Sequence, residues 1–219
     1  AQLPSQSGDM LNYVPTRSFF FPVDSLKVLT NGTVKRENAS QLVSTVNGRI
    51  AGSYLTKSNL AALDLIRNNN WERPIYFVAS NQTDELGISD YLQLDGLAYR
   101  LVPIKTITGS SFEKGRIDPE IVYDKLINKF QYGRMEADDV YLDNFHRRTL
   151  AVIRLRFRFI RLANTFIEKG DNVRAEKVLD RIVEITPEKN VPYDMFMPGI
   201  AESYYRLNKF EKANKILER

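Results

Sequence analysis

An α+β fold is expected from three observations on this 219-residue chain. Short aromatic and β-branched runs punctuated by turn formers fill the first 135 residues, and helical periodicity takes over from about residue 138. Within that second part, one pattern of small and aromatic residues recurs 38 positions later. The expected organisation is a tail or linker at 1–12, a small mixed β-sheet with packed helices at 13–135, and an all-helical domain at 138–219.

Up to Thr16 the chain is polar and rich in turn formers, which predicts a tail. Ser18–Asp24, "SFFFPVD", predicts a short strand stopped by Pro22, and Asn31-Gly32 between two apolar runs predicts a hairpin turn. Strand-like residues around "NGRI" lead into a helix capped by Thr56 or Ser58, with Leu60, Leu63, Leu65 and Ile66 as its apolar side. Asn68, Asn69 and Asn70 end that helix, because asparagine side chains compete for backbone hydrogen bonds and tolerate positive φ. Pro74 then pushes Arg73 towards extended backbone, so Ile75–Val78 should be a strand. Alternation over Leu97–Pro103 predicts another, 108–116 a loop, and Asp118-Pro119 opens a further helix.

In the last third, Leu162, Ala163, Phe166, Gly170, Ala175, Leu179 and Pro187 fall at the spacings of a tetratricopeptide helix pair. Ala201, Tyr204, Asn208, Ala213 and Leu217 repeat the pattern, each 38 positions after its counterpart. The usual period is about 34, so about four residues are inserted, within "NVPYDMFMPG". Small residues at the repeated places let two helices approach closely. Stacked pairs of this kind form a concave surface, so protein or peptide is the expected partner.

Composition removes several chemistries. There is no cysteine and one histidine, His146, so thiolate catalysis, Ser-His-Asp triads and Cys- or two-His metal sites cannot be built. No phosphate-cradling glycine motif occurs, and no cofactor is expected. The net charge of +4 is small for this length and gives no reason to expect nucleic acid. The arginine-rich run His146–Arg161 is expected to be a helix whose arginine stems lie over an apolar stripe. "EADDVYLD" is expected to be a solvated acidic turn ahead of it.

The joint "NNNWERPIYF" carries the only tryptophan. Trp71 is expected to cover the end of the sheet's core, with Glu72 and Arg73 as an ion pair holding the joint or as groups offered to a ligand. A flat apolar face beside bidentate polar groups also suits a sugar. On that reading Trp71, Glu72 and Arg73 are candidate binding residues, joined by Tyr91, Gln93, Asp95, Tyr99 and Arg100.

Taken in order, "SFFFPVD", "NNNWERPIYF", "LDGLAYRLVPI", "YDKLINKFQYG" and "NVPYDMFMPGIAESYY" resemble the C-terminal part of a Gram-negative bacterial membrane-protein family, domain of unknown function 2723, also grouped as glycosyltransferase family 117. The resemblance runs from about Tyr13 to Arg219. It implies multi-spanning inner-membrane proteins similar to lipid-linked-sugar transferases, with the catalytic acidic residue in a loop outside this stretch. The chain would then be a non-catalytic periplasmic accessory domain that binds acceptor protein, glycan or a partner. The alternative is a stand-alone helical-repeat scaffold for peptides.

Overall fold

The α+β class holds: a computed structural model shows small sheets with packed helices followed by helices alone. It describes residues 2–4, 10–12, 16–79, 81–107 and 114–218, so part of the loop expected at 108–116 lies outside the described residues. Two compact units result, one of residues 1–94 and 98–116, the other of 95–97 and 117–219. The division falls near residue 117 because the helix expected at 118 packs with the helical part, as Tyr123 meets Phe166 edge-on at 5.6 Å.

In the first unit, β1 (Gln2–Pro4) pairs antiparallel with β2 (Met10–Asn12), inside the stretch expected to be a tail. β3 (Ser18–Pro22) does not form a hairpin across Asn31-Gly32. It pairs antiparallel with the distant β4 (Thr45–Arg49), Phe20 opposite Asn47. The residues after β3 form a helix, α1 (Ser25–Thr30), because the Asp24 side chain accepts from the Lys27 N–H at 3.0 Å and caps it. Asn31 then turns the chain out of that helix: its Oδ1 accepts from Thr33 N–H at 3.0 Å.

α2 (Lys57–Asn69) starts at Thr56, whose hydroxyl accepts from Asn59 N–H, and stops at Asn70 in left-handed backbone, φ 42°. β5 (Tyr76–Phe77) follows, then α3 (Asn81–Glu85). The alternation over 97–103 conceals a hairpin: β6 (Leu92–Asp95) and β7 (Ala98–Leu101) neighbour each other across Gly96-Leu97, with Gly96 at φ 77°. The sheet order is β5-β7-β6-β8, the last strand being Arg116–Ile117. Val34, Val102 and Ile104, with Leu29 and Leu42, form a packed cluster beside it.

Gly87 fits this unit for a steric reason. Its φ is 66°, and a Cβ there would stand 2.3 Å from the Arg49 carbonyl oxygen of β4. Gly87→Ala is therefore expected to destabilise the unit by about 1–3 kcal/mol, read as a lowered urea midpoint with unchanged slope.

In the second unit, α4 (Pro119–Tyr123) is capped by Asp118 and continues in a wider π turn, Asp124–Lys129. The acidic turn behaves as expected, since Asp143 Oδ1 accepts from the N–H groups of Phe145 and His146 at the next helix start. A π-helical stretch, His146–Arg156, runs into α5 (Phe157–Glu168), then α6 (Asn172–Ile185), α7 (Met197–Arg206) and α8 (Phe210–Leu217). α5 packs on α6 and α7 on α8, and the repeated small residues Ala163, Ala175, Ala201 and Ala213 are all buried.

Two polar devices hold these helices. Arg156 departs from the expectation that the arginines lie on the surface: it is 0% exposed. Its guanidinium donates to the Thr186 carbonyl at 3.1 Å, the Val191 carbonyl at 2.8 Å, the Pro192 carbonyl at 2.9 Å and the Asp194 carboxylate. That fork fixes the segment between α6 and α7, where the sequence places its insertion. The second device is a charged cluster: Lys212 of α8 reaches Glu176 at 2.8 Å and Asp180 at 2.7 Å on α6, and the Tyr204 hydroxyl of α7 donates to Asp180 at 2.8 Å.

Hydrogen bonds from Lys209 and Lys212 hold the Glu176 carboxyl below its ordinary range. A depressed folded pKa means stabilisation that is present above the unfolded value, about 4.3, and lost as pH falls through the folded one. The thermal midpoint of the helical unit is expected to drop between pH 5 and pH 3. Glu176→Gln should lower it at pH 7 and flatten the acid limb, and an unchanged limb would remove Glu176 as a contributor.

Candidate recognition grooves

The turn after α2 sets the first groove. Trp71 adopts left-handed backbone, φ 61°, and this turns its indole inward, where it is 6% exposed. The indole N–H donates to the Pro22 carbonyl of β3 at 2.7 Å, and the Trp71 carbonyl accepts from Asn31 Nδ2 at 2.5 Å. Trp71 thus ties together β3, the α1 exit and the α2 exit, and covers core as the sequence suggests.

Glu72 and Arg73 are exposed and form no ion pair with each other among the described residues. The joint is held instead by Asn69, whose side chain donates to the Arg73 carbonyl at 2.7 Å and accepts from its N–H at 3.2 Å. A short polar side chain that bonds local backbone is the cheaper clasp, because an exposed ion pair is worth only about 0–1 kcal/mol.

The remaining candidates do not gather on a surface with Trp71. Tyr91 is buried, and its hydroxyl accepts from Asn47 N–H of β4 at 3.3 Å. Tyr99 is buried opposite Phe77 in the sheet. Arg100 is buried and reaches the Gly32 carbonyl at 3.4 Å. Gln93 is buried on β6, and Asp95, also buried, pairs with Lys125 at 2.5 Å. These side chains hold the sheet and its turns, and the expected sugar platform of Trp71, Glu72 and Arg73 is not formed as one face.

What the structure does form beside Trp71 is a groove of about 650 Å³ between β3 and α2. Phe20, Pro22, Leu60, Leu63 and Arg67 contribute to its walls, with Trp71 among them. Phe20 is 64% exposed. The outward backbone edge of β3 is partly used: Pro22 C=O accepts the indole, and Thr16 Oγ1 bonds both N–H and C=O of Ser18. Between them the Phe20 N–H and C=O lie on the edge turned away from β4, where another extended chain could pair.

A sequence signal for this groove exists. The α2 side read as core-facing carries four large apolar residues, yet only Ile66 is buried and Leu65 is 54% exposed, so the helix shows more apolar surface than the fold covers. Among the described residues no cluster of His, Asp and Glu could hold a metal ion, and no helix is long and apolar enough to cross a membrane.

Residues 1–121 match the family described as TMEM260-associated domain 2. No curated protein and no solved structure matches the chain.

Proposed function

Since the chain belongs to the TMEM260-associated domain 2 family, we propose that it is a non-catalytic recognition domain of a multi-spanning, glycosyltransferase-like membrane protein. It is placed on the periplasmic face of the bacterial inner membrane and binds acceptor polypeptide, glycan or a partner protein. The resemblance to glycosyltransferase family 117, carried by "NNNWERPIYF" and "LDGLAYRLVPI", supports the membrane-enzyme setting. The observation that carries recognition is the groove beside Trp71, where the exposed Phe20 turns its own N–H and C=O outward between the occupied Ser18 and Pro22 and adjoins the apolar side of α2. An extended acceptor segment would bond the Phe20 backbone and set a side chain among Leu60, Leu63 and Phe20.

The test is selection of peptides from a random library on the immobilised chain, followed by titration into the wild type and Phe20→Ser. Selected peptides should bind the variant at least about tenfold more weakly, the loss of one exposed anchor in a groove. Equal binding to both would sink the polypeptide reading. The setting is checked separately on the parent reading frame, which should encode several apolar runs of about 20 residues.

A second reading keeps the peptide and moves the surface. The two packed helix pairs, α5 with α6 and α7 with α8, support a helical-repeat scaffold that is unrelated to sugar transfer. Peptides whose binding is lost on changing α6 residues such as Lys177 or Arg181, and not on changing Phe20, would favour it.

A further inference from the structure

The edge of β3 that borders the groove beside Trp71 is closed except at one residue. Where β3 and β4 pair, Arg17 C=O accepts from Ile50 N–H and Ser44 C=O from Val23 N–H, both at 2.9 Å, so every second residue from Arg17 faces β4. Asn47, opposite Phe20, points its N–H the other way, to the Tyr91 hydroxyl at 3.3 Å. Ser18, Phe20 and Pro22 therefore turn their backbone polar groups to the outer edge. Thr16 Oγ1 occupies both groups of Ser18, Pro22 has no N–H, and the Pro22 carbonyl holds the Trp71 indole. Among the described residues, the N–H and C=O of Phe20 are the pair left open there. The opposite wall carries charge. Arg67 of α2 is exposed and makes no hydrogen bond or ion pair among the described residues, whereas Asp64, one turn earlier, accepts from Asn68 at 2.9 Å. Lys27 adds a second cation at the Trp71 end, its Nζ donating to the Asn70 carbonyl at 3.1 Å.

We infer that this groove takes an extended polypeptide through a single backbone bridge at Phe20 and one acidic side chain at Arg67. The inference rests on the polypeptide reading above and narrows it to one class of segment. In a bridge of either strand direction, Phe20 N–H donates to one ligand carbonyl and Phe20 C=O accepts from one ligand N–H. Because Ser18 and Pro22 are occupied, no ladder extends from that bridge, so the residues flanking it need no N–H and proline is accepted among them. Two hydrogen bonds alone bind weakly in water. The remaining affinity comes from side chains: an apolar one among Phe20, Leu60 and Leu63, and a carboxylate on the unengaged Arg67 guanidinium, whose planar fork matches it. A basic residue in that place would face Arg67 and Lys27 as like charges.

The experiment pans two libraries of nonapeptides, acetylated and amidated at their ends, on the whole 219-residue chain. Each has a central leucine, flanked on both sides by Asp in one library and by Asn in the other, and is random elsewhere. The Asp library should yield binders at least about tenfold tighter. Arg67→Gln should erase that advantage with the thermal midpoint unchanged, since the exposed side chain holds nothing among the described residues. In the tightest binder, N-methylation of each backbone amide in turn should cost at least about tenfold at one position alone, and proline should be accepted two residues to either side of it. Losses at two or more alternating amides mean a ladder and overturn the single bridge, as does no loss at any amide. Equal affinities from the two libraries, or an Asp advantage that survives Arg67→Gln, overturn the acidic contact. In each of these cases recognition of polypeptide stands if Phe20→Ser still weakens binding. If Phe20→Ser binds every selected peptide as the wild type does, the inference and the reading beneath it both fall.

Discussion

Arg156→Met is expected to destabilise the helical unit by about 3–5 kcal/mol, the cost of removing one partner from a buried ion pair. The change keeps an unbranched apolar stem, so lost packing is small. It leaves the Asp194 carboxylate and the carbonyls of Thr186, Val191 and Pro192 without their shared donor. Each buried group that loses its partner bears most of its own desolvation cost. For a unit of roughly this size the midpoint should fall by on the order of 15 °C or more, seen by circular dichroism at 222 nm as an early loss of helix. Arg156→Lys separates charge from geometry: a lysine is a point charge and cannot reproduce the fork to three carbonyls and a carboxylate, so it should recover only part of the loss. A Met variant as stable as the wild type would mean that the segment between α6 and α7 holds itself.

Trp71→Ala is expected to cost the first unit about 3–5 kcal/mol, the usual range for emptying a buried aromatic site. The change removes the ring from the meeting place of β3, α1 and α2 and leaves the Pro22 carbonyl without its donor. Trp71→Phe keeps most of the ring and loses only that hydrogen bond, so about 1–3 kcal/mol is expected. Urea unfolding followed by circular dichroism distinguishes the two, since the only tryptophan is itself the residue changed. A Trp71→Ala chain that keeps its midpoint but loses glycoside or peptide binding would return Trp71 to the role of a ligand platform.

Local chemistry in the sequence marks much of the backbone correctly. Thr56 and Asn70 bracket α2, Asp118-Pro119 opens α4, and the pattern from Leu162 to Leu217 marks two helix pairs with alanines at their contacts. These features depend on residues within a turn or two of each other, so one sequence is enough to read them. Asn31-Gly32 and Asp95-Gly96 show where such reading stops. Both are turn signals, and the first ends a helix while the second closes a hairpin. The choice depends on Asp24 capping α1 and on β3 finding its partner at Thr45–Arg49, a pairing of distant segments that no local propensity encodes.

The sequence by itself determined the α+β class, the limits of α2, the start of α4, the two C-terminal helix pairs and the absence of thiol and multi-histidine chemistry, because these follow from residue types and short spacings. Only the tertiary structure decided which polar residues would be buried and which apolar ones left in contact with water. Arg156, Arg100 and Asn59 are buried while Phe20 and Leu65 are exposed, and nothing in their neighbours along the chain distinguishes them. Burial is a property of what packs against a residue from far away. The groove proposed for a polypeptide therefore became visible only when β3 and α2 were brought together.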